Sequence, residues 1–440
     1  MYRGLFNPRV GLSKEDFRTV GFLTAALVLR WNTWVHRRVE RSKFTDEDVL
    51  HRSVSIDFTL PYWFHQERDT PRGGQKRQLV PLGLLRKGTL VNFSLADESG
   101  RSLPLLNTGQ NRQVAEATLV AIGEQVIGDD MAASVRCDVR NLVDGDPNDA
   151  DDHLADLYGR RDSAEYQRHL LQGSHFFQRV AEPLGHSFLA LTMVKIGWHE
   201  RRVLHVSYDE SLWINEWVGP LGRFTIAGLG RPRYIWLMLP AVGDTDSYHF
   251  EVEAPEDLQV TARAGFAAGP AAEGMPLRRV PERAGSYQRA HIHFPPAEQG
   301  EEAVVSVALQ PRASALVRAG FLSAVLTSAT LVYLRLRFGV LNDRPGAAGP
   351  TAALLLAFPG LVSVYLARSG ENAMTTNLLW PVRVLALVPG LAAFVGAAAL
   401  VAGSDGWATK TVLWVMAGVA GLSAVFLGLT WLRLWRARRR

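Results

Sequence analysis

From residue 316 to the C-terminus the chain passes through four stretches of near-continuous Ala, Leu, Val and Gly, and nothing else in it constrains the fold as much. A helix needs about 20 mostly apolar residues to cross the hydrocarbon of a bilayer. The stretches at 316–334, 350–367, 384–403 and 412–432 come close to that length. Tyr333, Tyr365, Trp380, Trp407, Trp414, Trp431 and Trp435 stand near their ends, where amphipathic rings favour the membrane interface. Four spans are therefore expected in 313–440, ending in a basic tail.

Two of these stretches carry the same Pro-Gly-Leu core, "LLLAFPGLVSVYLA" and "LALVPGLAAFVG". Pro359 and Pro389 each remove a backbone donor and bend a helix. Gly360 and Gly390, among alanines, let neighbouring helices approach closely. The interiors of the stretches lack Asp, Glu, Lys and His, whereas intramembrane charge marks ion and proton pathways. Helix packing is thus preferred to a pore or hinge role for these four residues.

Arg433, Arg436, Arg438, Arg439 and Arg440 follow the last stretch and argue for a cytoplasmic C-terminus, with the tail against anionic lipid head groups. Arg335, Arg337 and Arg344 run against this orientation. The start, "MYRGLFNPRVGLSKEDFR", lacks the layout of a signal peptide. The expectation is a multi-pass protein of the bacterial inner membrane with its soluble region in the cytoplasm. The segment 19–35 is apolar but interrupted by Arg30 and Asn32, so it reads as a buried or membrane-surface helix before a fifth span. Arg37, Arg38 and Arg41 would then end that helix and meet lipid or water.

The rest divides into an N-terminal helical segment (1–48), a mixed α/β region (49–187) and a module resembling a β-sandwich (188–312). "SVSIDFTL" alternates with period 2, and "QNRQVAEATLVAIGEQVIG" has helical spacing. "FLALTMVKIG" and "RRVLHVSYDE" suggest a hairpin, and "RYIWLMLPAV" a strand covered on both faces. About seven strands between 188 and 310 support an antiparallel sandwich. The fold class is an α+β soluble region ending in that sandwich, then an all-α membrane region.

Cys137 is the single cysteine, which excludes an intramolecular disulfide and a Cys-based zinc site within this sequence. His291 and His293 in "HIHF" share one face of a strand and could chelate a metal, but two ligands do not make a site. "DGDPNDADD" fails the calcium-loop pattern, with Asp149 where glycine is needed and Ala155 where glutamate is needed. Phosphate-cradling, dinucleotide, nucleophile-elbow and zinc-protease motifs are absent, as is the aromatic interleaving of a nucleic-acid surface. No cofactor is expected.

"SIDFTLP", "VPLGLLRKGTLVNFSLADESGRSLPLL" and "SYHFEVEAPEDLQV" resemble stretches of membrane-anchored proteins from GC-rich bacteria that have no assigned activity. The resemblance implies the same layout of soluble module and C-terminal spans, and transfers no functional residue. The leading expectation is a non-enzymatic protein whose soluble module binds a protein or small-molecule ligand and is coupled to the spans. The alternatives are a sensor-gated effector that forms a homo-oligomer and perturbs the bilayer, and a hydrolase with a metal at His291 and His293.

Overall fold

The computed structural model describes residues 14–46, 49–61, 76–88, 91–159, 162–197, 199–211, 232–239, 241–255, 258–267, 278–279, 288–297, 302–311, 315–338, 373–401 and 406–439. Alternating side chains build the largest element, a six-stranded sheet. Its strands β1 (Val35–Phe44), β2 (Val49–Thr59), β4 (Val91–Asp97), β6 (Arg201–Ser211), β8 (Tyr248–Glu253) and β11 (Arg289–Phe294) lie in the order β11-β8-β1-β2-β6-β4. All neighbours are antiparallel except β1 and β8, which run parallel. Along β2 every second residue is buried. One face of the sheet is thereby committed to the interior and the other to water.

Two separate cores share that inner face. The first lies under helices α1 (Lys14–Val28), α3 (Thr108–Ile127), α4 (Ala133–Asp144) and α7 (His175–His186). A two-stranded sheet of β3 (Lys76–Arg86) and β5 (Ser187–Ile196) fills its middle. Residues 189–194 of β5 are buried without a break, because both faces of that strand are covered. Asn107 begins α3 with a capping box, its side chain accepting from the Gln110 N–H while the Gln110 side chain accepts from the Asn107 N–H. Arg168 on α6 (Glu165–Gly173), 1% exposed, ties α4 to α5 (Ala150–Gly159) through Asp138 at 2.7 Å and the carbonyls of Asp156 and Leu157.

The second core lies between the β11-β8-β1 side of the large sheet and a four-stranded sheet ordered β10-β9-β12-β7. Its strands are β7 (Arg233–Leu239), β9 (Leu258–Ala267), β10 (Arg278–Arg279) and β12 (Glu302–Pro311). Phe44, Leu50, Phe250 and Phe294 meet Leu237, Leu258, Val305 and Leu309 across it.

Several expectations need correcting. Residues 35–44, expected to end a helical segment, form β1 in the middle of the sheet, after α1 and the short α2 (Trp31–Trp34). The segment 19–35 is not surface-bound, since Val20, Leu27, Trp31 and Trp34 are buried in the first core. β5 and β6 do not pair as a hairpin: β5 pairs with β3, and β6 with β2 and β4. The 188–312 module is not self-contained, because β1 and β2 supply part of its core. β7 is covered on one face only, with Tyr234, Trp236 and Met238 exposed. Cys137 is exposed on α4.

Among the described residues three helices are long and apolar enough to cross a membrane: α8 (Ala315–Leu336), α9 (Ala373–Val401) and α10 (Gly406–Arg439). Val317 of α8, Val382 and Leu385 of α9, and Leu427 and Leu434 of α10 form one cluster. Leu331 and Leu334, Ala392 and Ala393, and Leu413 and Ala417 form the other. α8 and α9 are therefore parallel and α10 antiparallel to both. Small residues set the closeness, as a Cβ on Gly320 would lie 3.3 Å from that of Ala386. The span expected from 384 begins at Leu378, and Arg383, just before that expected start, is buried inside α9. Leu378 reaches the second core, so the start of α9 packs against the soluble region. Pro389 is buried and Gly390 half-buried within α9, which continues through both that proline and Pro381. The stretch 350–367, with Pro359 and Gly360, lies outside the described residues.

Candidate functional site

Where the two cores meet, the inner face of the large sheet turns from apolar to charged. Alternation along β1 turns Arg38, Glu40 and Ser42 inward, and pairing with β2 brings Arg52 alongside. Arg52 donates from Nη1 to Glu40 Oε1 at 2.5 Å, and its Nε lies 2.6 Å from Glu210 Oε2. Tyr248, delivered by the parallel neighbour β8, donates its hydroxyl to Glu40 Oε2 at 2.5 Å. Glu40 is 3% exposed and Arg52 7%, which makes this a desolvated network rather than a surface ion pair.

The network sets its own protonation. Burial opposes the Arg52 charge, but the Glu40 carboxylate, Tyr208, Glu210 and Tyr248 outweigh it and hold the pKa above the ordinary arginine value. Burial raises Tyr208 to about 12, with Arg52 pulling the other way. Burial, and next the Glu40 charge, keep Tyr248 well above the usual phenol value, so it remains the donor.

Arg38, Glu40, Arg52, Tyr208 and Glu210 floor a cleft of about 800 Å³. Arg86, Lys87, Asp146, Asn148, His186 and Ser187 line it from the first core, and Trp236, Leu237, Met238 and Ala241 from the second. A second cavity of about 710 Å³ adjoins it behind Lys87, at the start of α3. Lys87 Nζ donates to the carbonyls of Leu142 at 2.8 Å and Gly145 at 3.2 Å. Burial, then the nearby Arg112 charge, lower it to about 8, against the pull of Asp144 and Asp146. His186 faces Asp151 at 3.6 Å, and among the described residues no hydrogen bond joins it to Ser187. The cleft presents fixed charge and aromatic surface, an arrangement suited to holding a ligand.

Arg38 differs from the rest of the floor. It is 8% exposed, and among the described residues its Nη1 donates only to the Leu82 carbonyl at 3.3 Å and its Nε has no hydrogen-bond partner. A bulge in β3 between Pro81 and Gly83 brings the backbone up to it. Gly83 has φ +142°, and a Cβ there would sit 3.2 Å from Arg38 Nη1, so only glycine suits the position.

His291 and His293 lie on the opposite, outer face of the large sheet. β11 pairs with β8, which adds a third imidazole that sequence reasoning missed, His249. His249 Nδ1 lies 3.1 Å from His291 Nε2, with the ring planes 5° apart and the centroids 5.3 Å apart. That combination is two coplanar rings joined nitrogen to nitrogen by one shared proton, rather than two lone pairs converging on an ion. His293 turns to Ser247, whose Oγ is 3.5 Å from its Nε2 and 3.1 Å from His249 Nε2. Among the described residues no three His, Cys, Asp or Glu side chains are grouped to hold a metal ion.

Of the basic tail, Arg433 and Arg436 are exposed at the end of α10. They lie at the same end of the bundle as the start of α8, where Phe321 stacks on Trp431 at 6.1 Å. Arg438 and Arg439 belong to the last turn of α10, and Arg440 lies outside the described residues. No protein-family model matches the chain, and no curated protein matches it either.

Proposed function

We propose that the chain is a membrane-anchored binding protein of the bacterial inner membrane, whose soluble region takes a small ligand in the cleft between its two cores. The observation that carries this is the desolvated Glu40–Arg52 pair, braced by the Tyr248 hydroxyl, that floors a cavity at the seam of the fold. Cavities of this size, with a few fixed polar groups and aromatic walls, are where proteins bind small molecules. The two sheets around the second core act as a sandwich, and its contacts reach the membrane helices directly. β12 ends at Pro311 and α8 begins at Ala315, while Leu378 of α9 packs into the sandwich core.

Four spans anchor this module, the fourth supplied by 350–367. α8 ends far from the soluble region and α9 begins next to it, so the chain between them has to return. The soluble region and the C-terminus then share one side, and Arg433 and Arg436 favour the cytoplasm. The tail rests on anionic lipid head groups.

Protein purified in nanodiscs and then denatured releases its ligand for mass spectrometry. Asn148→Trp fills the mouth of the cleft from an exposed position and is expected to abolish a species that wild type carries. Equal recovery from both proteins would place any ligand elsewhere.

A further inference from the structure

We propose that Arg38 is an oxyanion-binding residue, and that the cleft takes a small water-soluble organic carboxylate or phosphate monoester. The inference rests on the reading of the cleft as a ligand site. A guanidinium removed from water needs a carboxylate, a phosphate or several carbonyls to hold its charge. Arg52, on the neighbouring strand, has two carboxylates. Arg38 has one long bond to a carbonyl, and among the described residues no carboxylate lies within ion-pair distance of it.

Each carboxylate nearby already has a partner. Glu40 takes Arg52 and Tyr248, Glu210 takes Arg52, and Asp146 accepts from the Asn148 N–H. What the floor leaves over is therefore a donor, and a donor in surplus selects an anion. Lys87, whose Nζ spends two of its protons on carbonyls, adds positive charge at the rim. Arginine presents a planar fork matched to carboxylate and phosphate oxygens. The rest of the ligand lies against Trp236 and Met238, which are 62% and 51% exposed without it.

The ligand comes from water rather than from the bilayer. Trp236 pairs with Ser306 and Met238 with Val304, whereas β12 approaches α8 at Pro311. Ser306 to Pro311 is about 17 Å of strand, so the part of β7 that lines the cleft is well separated from the strand end that leads into α8.

The test is thermal unfolding of the full chain in phosphatidylcholine nanodiscs, titrated with inorganic phosphate or acetate against chloride at matched ionic strength. Wild type should rise by about 5 °C or more at saturation with at least one of the two, and the stronger one identifies the headgroup chemistry. Arg38→Met should abolish that rise while leaving the anion-free melting temperature unchanged or higher, because an uncompensated buried charge is removed. If Arg38 were only structural, the variant would melt lower and wild type would ignore the anions, which overturns the proposal. If Arg38→Met fails to fold, Asn148→Trp must lose the same rise, and its retention overturns the proposal. Wild type that responds to no anion and is stabilised only in phosphatidylglycerol nanodiscs would reassign the site to a lipid headgroup. A neutral or cationic species lost from Asn148→Trp but retained by Arg38→Met would sink the oxyanion assignment while the cleft remained a ligand site.

Discussion

Glu40 stands in the middle of β1 with both carboxylate oxygens occupied, one by Arg52 and one by Tyr248. Breaking a buried pair from one side strands the other charge, which costs about 3–5 kcal/mol. Arg52→Met is expected to lose that much in urea unfolding, and Arg52→Met with Glu40→Gln to recover a large part of it. Simple additivity of the two substitutions would show that they do not act as a pair. On the outer face the residue to watch is His249. Burial first, then Arg37 and the other two histidines, lower it to about 4 from an ordinary 6.5, with Glu251 opposing. The unfolded chain takes up this proton near pH 6.5 and the folded one only near pH 4. Stability from this group is therefore full above pH 6.5 and is lost as pH falls from 6.5 towards 4. His249→Gln should flatten that part of the stability profile. An unchanged slope between pH 7 and 4.5 would show that the imidazole titrates alike in both states.

In the first core α1 lies close against α3. A Cβ on Gly21 would lie 2.2 Å from the carbonyl oxygen of Ala117, which is backbone and cannot turn aside. Gly21→Ala should therefore push α1 off α3 and destabilise by about 1–3 kcal/mol, as overpacking does. A denaturation midpoint equal to wild type would mean that α1 does not lie this close. Elements that announce themselves by period were legible in the sequence: "SVSIDFT" became the second half of β2 and "QNRQVAEATLVAIGEQVI" lies within α3. β1 was not, since its inward positions include Arg38, Glu40 and Ser42, and charge on a buried face hides the alternation. Nor could "FLALTMVKIG" be placed, because a strand covered on both faces carries no sign of its partner, and β3 lies a hundred residues away. The cleft was invisible for the same reason. Arg38, Arg52 and Glu210 come from three strands whose order only the folded sheet reveals.

At the scale of the molecule, the bundle fixes which ends of the chain share a side. Val317 near the start of α8 and Leu434 near the end of α10 occupy one cluster, and Leu331 and Leu413 the other. At the far end Lys410 lies 5.6 Å from the centre of the Phe338 ring, marking the turn into α10. Cys137 is exposed on the soluble region and is the chain's single thiol, so the unmodified protein already reports one side. In a Cys137→Ser background, Arg436→Cys reports the C-terminal end of α10 and Gly406→Cys the opposite end. With a membrane-impermeant maleimide on intact cells, Gly406→Cys should label, while Cys137 and Arg436→Cys should label only after the membrane is opened. Cys137 and Arg436→Cys answering differently would break the antiparallel arrangement of α8 and α10 itself. If both label in intact cells, the packing stands but the orientation reverses, and the cleft then draws its ligand from outside the cell. The two outcomes separate because the shared side follows from packed side chains, whereas the choice of side rests on a charge bias in which Arg335, Arg337 and Lys410 at the far end oppose Arg433 and Arg436.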